Sequence, residues 1–242
     1  MSRSTKIERV AEVRAEVVNE AIKETENVKF TPIDLENWYR REMFMYFSQT
    51  APTTFSITVN VDVTNMRKVL KENKLKFFPA YLWIVTKHLN EQIEFKIARK
   101  DGQLGYYDYL NPLFAIFHED DTSFSTLWTE YTDDFHAFYA RYIDDQEKYK
   151  NNHGLVARPE LPPQNICNVS CVPWFSFQSV SMRNDVGESY YPIVEAGKFI
   201  EQDEQTLMPL SITGNHASTD GYHIHVFLDA LQDSLNDFGK YL

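Results

Sequence analysis

No run of about 18 apolar residues occurs in the chain, so a transmembrane helix is not expected. The first residues, MSRSTKIERVAEVRAEVVNEA, are charged throughout and lack the apolar centre of a secretory signal. Positive charge is scarce. Twenty-four Lys and Arg stand against 35 Asp and Glu, a formal net charge of −11. Neutralising nucleic-acid phosphates takes clustered basic residues, so a nucleic-acid partner is not expected, and a membrane surface is disfavoured on the same ground. A local basic patch that holds a phosphorylated cofactor stays compatible with the total. Cysteine is scarce too. Cys167 and Cys171 lie four apart in an apolar stretch, and on a strand both face one way as small buried hydrophobes. No further zinc ligands lie close by in sequence, so no metal is expected. The compartment reads as cytoplasmic.

What is present is a chain of 242 residues, 43% hydrophobic and 14% aromatic, enough to bury a sizeable core. Residues 1–28 stand apart. Ile7, Val10, Ala11, Val17, Val18, Ala21 and Ile22 fall roughly at helical spacing among charges, which reads as an amphipathic helical extension. From Lys29 onward helices and strands alternate. A helical stretch after Asp34 carries Trp38, Arg40, Arg41, Phe44 and Phe47. Phe55, Ile57, Val59, Val61 and Val63 alternate with polar residues as a strand with one buried face. Pro79 suits the first turn of a helix running to about Leu89. Asp101-Gly102 marks a hairpin, and residues 112–131 read as two strands. A helix over about 133–149, a Pro-rich loop and a strand around Cys167–Pro173 follow. Two strands near 190–200 and 206–216 flank an acidic turn, and a helix from about Tyr222 to Phe238 ends the chain. Residues 29–242 thus read as one mixed α/β domain, a two-layer sandwich of sheet and helices.

The segment Ser211-Ile-Thr-Gly-Asn-His-Ala-Ser-Thr-Asp-Gly-Tyr-His-Ile-His225 carries the chemistry. A strand ends at His216, and Asp220-Gly221 opens a helix. Histidine is the side chain suited to accepting a proton near neutrality, and a strand end aims it into a cleft. Asp220 either caps the last helix or forms a buried ion pair that fixes the turn. The pair His223 and His225 lies in the helix, where i and i+2 face apart, and His118 is read as structural.

The H-x-x-x-D-G pattern resembles the signature of the chloramphenicol acetyltransferases and of the catalytic core of dihydrolipoyl acyltransferases. Further segments resemble the family in the same order. They are Asn37-Trp38-Tyr39-Arg40-Arg41-Glu42-x-Phe44, Lys76-Phe77-Phe78-Pro79-Ala80, Pro112-x-Phe114-x-x-Phe117-His118, Thr122-x-Phe124-Ser125 and Asn168-Val-Ser170-x-x-Pro173-Trp174. The resemblance implies the family's α/β sandwich, a mixed sheet flanked by helices. It also implies direct acetyl transfer from acetyl-CoA as co-substrate, with no bound cofactor and no acyl-enzyme.

Position by position, the resemblance makes His216 the general base and Ser170 the donor to the oxyanion. Arg40 and Asp220 become an ion pair that positions the segment. Coenzyme A is implied at Lys76, Trp174, Lys198 and Phe199, and the small-molecule acceptor at Tyr46, Phe47, Phe55, Phe124 and Asn168. The family is a homotrimer with sites between subunits. Several positions depart from its pattern. Asn215 stands where a histidine precedes the base, Glu195 replaces a threonine near the oxyanion, and Leu113 replaces a glutamine of some members. Tyr46-Phe47 reverses a common order. A carboxylate beside a developing oxyanion opposes catalysis unless protonated, paired or turned away, so Glu195 also belongs with the acceptor site. O-acetylation of chloramphenicol is the leading expectation. Acylation of another alcohol or amine, and a non-catalytic binding protein of this fold, are the alternatives.

Overall fold

A computed structural model describes residues 28–182 and 190–242. The expected helical extension lies, apart from its last residue, outside the described residues.

The short strand β1 (Phe30–Pro32) leads through turns to α1 (Arg41–Met45), which continues as a π-turn over Tyr46–Thr50. The sequence suggests one helix from Asp34, but the structure keeps residues 34–40 in turns. Asp34 accepts hydrogen bonds there from the Glu36 amide and the Asn37 side chain, the local pairing that lets Asp compete with a helix start. Next come β2 (Thr54–Asp62), α2 (Thr64–Glu72) and α3 (Phe77–Asn90). Nothing in the sequence reading anticipated α2. In α3, residues Pro79 to Thr86 are all buried, as suits a helix apolar on every side.

β3 (Ile97–Lys100) and β4 (Gln103–Tyr107) form the hairpin expected at Asp101-Gly102. Both turn residues have positive φ, at 53° and 78°, the backbone that favours Gly in a tight hairpin. β5 (Asn111–His118) and β6 (Ser123–Trp128) are the two strands expected over 112–131. Asp134 caps α4 (Phe135–Tyr149) by accepting from the Ala137 amide. β7 (Ile166–Val172), β8 (Ile193–Gly197), β9 (Ile200–Gln202), β10 (Gln205–Asn215) and α5 (Gly221–Asn236) complete the order. The strand expected near 190–200 ends at Gly197, and a short β9 precedes the acidic turn.

A small sheet has the order β1-β4-β3; the large one runs β2-β10-β8-β7-β5-β6, with β9 added to β10. The β5–β7 and β7–β8 pairs are parallel and the others antiparallel, so the large sheet is mixed. On one face Phe114, Val169, Val194, Leu210 and Ile212 are buried in the core with Ala80, Leu82 and Ile84 of α3 and Ile224 and Phe227 of α5. Residues at alternate positions, among them Asn168, Ser170, Glu195 and Ser211, belong to the other face. That is the expected two-layer arrangement, with helices on one side. A second core of Phe44, Ile97, Leu104, Tyr190 and Ala217 fills the space beneath the residues that follow β10.

Candidate active site

β10 ends at Asn215, and His216 extends the β2 ladder by one bond from its amide to the Thr53 carbonyl. The turn that follows is tied to Asn215. Its carbonyl accepts from the amides of Ser218 and Thr219, and its Oδ1 accepts from the Ala217 amide at 3.0 Å. Asn215, expected only as a departure, therefore builds the turn. Gly214 is required here, because a Cβ would sit 2.6 Å from the Thr219 hydroxyl oxygen.

The His216 Nδ1 lies 3.0 Å from the Thr219 carbonyl oxygen, which can only accept. Nδ1 therefore carries the proton, and Nε2 keeps its lone pair for a substrate. The Phe47 ring stacks on the imidazole at 4.1 Å, and the Phe55 ring approaches at 5.1 Å. The π-turn delivers Phe47, with Tyr46 edge-on to it at 5.0 Å and half exposed. Three residues expected at the acceptor site thus gather round the histidine of the same chain.

Asp220 performs both roles left open by the sequence. It caps α5, accepting from the Tyr222 amide at 3.1 Å, and one carboxylate oxygen lies 2.9 Å from Arg40 Nη1. Burial alone would raise the Asp220 carboxyl. The Arg40 bond, the nearby His223 and the Tyr222 amide outweigh it and hold the group below its ordinary value. His223 completes the capping box by accepting from the Asp220 amide at 3.1 Å. Asp220 makes no hydrogen bond to His216 among the described residues and does not orient it directly.

Ser170 sits elsewhere. Ser170, Glu195 and Ser211 are lateral neighbours on β7, β8 and β10. His216 lies five residues beyond Ser211. At about 3.3 Å per residue and about 4.8 Å per strand, the Ser170 and His216 Cα atoms are roughly 19 Å apart. The expected base and oxyanion donor do not meet within one chain.

Glu195 is buried. The segment after β7 covers it, since Phe177 packs on Gly197 and the Val180 carbonyl accepts from the Ser211 hydroxyl. That burial pushes its carboxyl up to about 7. Among the described residues no hydrogen bond reaches it. Asn168 lies beside Leu113 on the same sheet face, and Phe124 pairs across the hairpin with Phe117. Phe117 meets Trp174 edge-on at 5.1 Å, so Phe124 and Trp174 belong to one exposed aromatic surface.

The other residues expected to hold coenzyme A cluster partly at the other end. Phe199 lies edge-on to Phe77 at 4.9 Å with the Arg67 guanidinium 4.6 Å above it. Lys76 is the exposed N-cap of α3, and the Lys198 amide donates to the Phe175 carbonyl beside Trp174. A cleft of about 430 Å³ opens here, lined by Arg67, Lys68 and Lys71 of α2 together with Thr64, Phe77 and Thr206. Arg67, Lys68 and Lys71, which line this cleft, were not singled out from the sequence. The signal was available as three basic residues at i, i+1 and i+4 in an acidic chain, but it needed α2 to be recognised as a helix.

The model of the family described as "Chloramphenicol acetyltransferase" matches residues 28–232. A chloramphenicol acetyltransferase of Clostridium perfringens is 39% identical over 209 residues, 86% of this chain and 99% of that protein. One from Clostridioides difficile is 40% identical over 206 residues, 84% and 95% of the two chains. The chain belongs to the chloramphenicol acetyltransferase family. A solved chloramphenicol acetyltransferase superposes with a TM-score of 0.78 at 26% identity, over 86% of this chain and all of that one. The dihydrolipoamide acetyltransferase of Azotobacter vinelandii, at 17% identity and a TM-score of 0.59 over 78% and 83%, shares the fold. The expected fold and the assignment as an acyltransferase enzyme are thereby established. No helix of the described residues is long and apolar enough to cross a membrane.

Proposed function

We propose that the protein transfers the acetyl group of acetyl-CoA directly to a hydroxyl of chloramphenicol. The observation that carries this reading is the fixed His216 tautomer, with Nδ1–H on the Thr219 carbonyl and the Nε2 lone pair free. Nε2 takes the acceptor's proton as its oxygen attacks the thioester carbonyl. The Ser170 hydroxyl donates to the resulting oxyanion, and the coenzyme A thiolate leaves with a proton returned from His216. Arg67, Lys68 and Lys71 supply positive charge for the phosphates of coenzyme A, with Phe77, Phe199, Lys76 and Lys198 nearby. Thiol release from acetyl-CoA, with and without chloramphenicol, tests the activity. Release that is independent of acceptor, or unchanged in His216→Ala, overturns it.

Since His216 and Ser170 are remote within a chain, the site is completed across subunits of a homotrimer, each interface pairing one chain's His216 with its neighbour's Ser170. Co-expressing His216→Ala with Ser170→Ala tests this, because some mixed interfaces then hold both intact residues. Recovered turnover is expected; two dead variants that stay dead overturn the shared site. The acetyl-CoA supply places the reaction in the cytoplasm.

Glu195 favours a second reading, in which the acceptor is a different alcohol or an amine. A buried carboxyl beside Ser170 either donates its own O–H when protonated or holds a cationic acceptor when ionised. A panel of neutral and amino acceptors in the same assay decides between the two.

A further inference from the structure

At the end of the β5–β6 hairpin, far in sequence from every residue assigned above to acetyl transfer except Phe124, two imidazoles and two carboxylates converge. The His118 and His153 rings lie 4.1 Å apart, and ring nitrogens of both fall within 4.8 Å of each other and of an Asp120 carboxylate oxygen. The loop bearing His153 is pinned to β6. The Thr126 amide donates to the Leu155 carbonyl and the Ala157 amide to the Thr126 carbonyl.

Both imidazoles are oriented by fixed partners. The Ser125 hydroxyl donates its one proton to the Asn152 carbonyl, so it accepts from His118 Nε2–H at 2.8 Å. His118 Nδ1 therefore keeps its lone pair. His153 Nδ1 lies 2.9 Å from an Asp121 carboxylate oxygen, which can only accept, so Nδ1 carries a proton, and Nε2 lies 3.4 Å from an Asp120 oxygen. A cation held by this nitrogen and Asp120 would take the place of the proton they otherwise share. Among the described residues no Lys or Arg pairs with Asp120 or Asp121.

We propose that His118, His153 and Asp120 bind a divalent transition-metal cation of the Zn²⁺ type, although the sequence alone points to no metal. Two neutral imidazoles and a carboxylate are the donors this class prefers. The Asp121 and Ser125 contacts are the outer hydrogen bonds that hold metal-binding histidines in one tautomer. Bond lengths of about 2.0–2.2 Å and in-plane nitrogen lone pairs require His153 to turn out of its stack on His118 and Asp120 to close in, and both are exposed. The cation would tie the loop after α4 to the hairpin that carries Phe124.

The test is zinc titration of the full-length, chelator-stripped protein against a chromophoric competitor. One site per chain is expected in the wild type, weakened at least tenfold in His153→Ala and in Asp120→Asn. Asp121→Asn should keep the stoichiometry and weaken binding about 10- to 100-fold, since it only orients His153. His225→Ala, which alters a separate exposed His–Asp pair, should bind as the wild type does. Co²⁺ should give visible absorption bands that are absent in His153→Ala. Equal zinc binding by the wild type and His153→Ala, or binding lost equally in His225→Ala, overturns the proposal.

Discussion

The two ends of the reaction are built in opposite ways. Around His216 a single chain supplies everything that orients the base: the Thr219 carbonyl, two phenylalanine rings, a turn tied to Asn215, and Asp220 fixed by Arg40. Around Ser170 the same chain offers a strand face without helices, where a buried Glu195 has no partner among the described residues. The first region is complete within one chain; the second is, on the reading proposed above, a half-site that a neighbouring subunit completes. Rigid, cross-braced groups suit proton transfer, which depends on geometry.

The sharpest break should come at the finished end. His216→Ala is expected to lower kcat about a hundredfold to ten-thousandfold while circular dichroism stays native, because the histidine is half-buried and the turn is held by Asn215. At the half-site, Ser170→Ala removes one oxyanion donor and should cost about a hundredfold to a thousandfold in kcat with little change in KM for acetyl-CoA. Near-native turnover of either variant in stopped-flow thiol release would unmake its assigned role.

Arg40 and Asp220 are expected to act as one unit. Breaking a buried pair costs about 3–5 kcal/mol, and the partial exposure of Asp220 places Asp220→Asn toward or below the lower figure. The Arg40→Leu, Asp220→Asn double variant should lose much less stability than the two singles added together. Additivity in chemical denaturation would leave Asp220 as a helix cap alone.

The smallest effects concern Glu195. Its folded value near 7 lies above the ordinary 4.5, so the native state holds its proton longer than the unfolded chain. Glu195 therefore costs stability progressively as pH rises from about 4.5 to 7, and the full cost remains above that range. Glu195→Gln should remove this loss, on the order of 2 kcal/mol at pH 8 after discounting for residual solvent, and should leave stability near pH 4 unchanged. Parallel melting curves for the two proteins across pH would expose the error. Glu195→Thr should raise chloramphenicol turnover more than it alters acetyl-CoA affinity, which initial rates against each substrate measure.

Much of this was readable beforehand. Alternation gave β2, the Asp-Gly pair gave the β3–β4 hairpin, and Pro79 marked the first turn of the central helix, which starts two residues earlier at Phe77. Local chemistry is enough for such elements. The helix expected from Asp34 failed because Asp34 pairs with its own backbone and Asn37 instead. The helix α2 was missed because its apolar positions, Met66, Val69 and Leu70, are few among polar neighbours.

Residue types and their order determined, without coordinates, that a histidine ends one strand, that an aspartate opens the last helix, and that an acidic chain carries few bases. The tertiary structure decided which groups meet. Arg40 and Asp220 are 180 positions apart, and only packing could show that one carboxylate both caps a helix and pairs with an arginine. Strand register, set by hydrogen bonds between distant segments, separated Ser170 from His216 and placed Glu195 beside Ser170. Burial raised Glu195, and a loop pinned to β6 brought His153 against His118. Each of these depends on contacts across the sheet, which local sequence pattern does not encode.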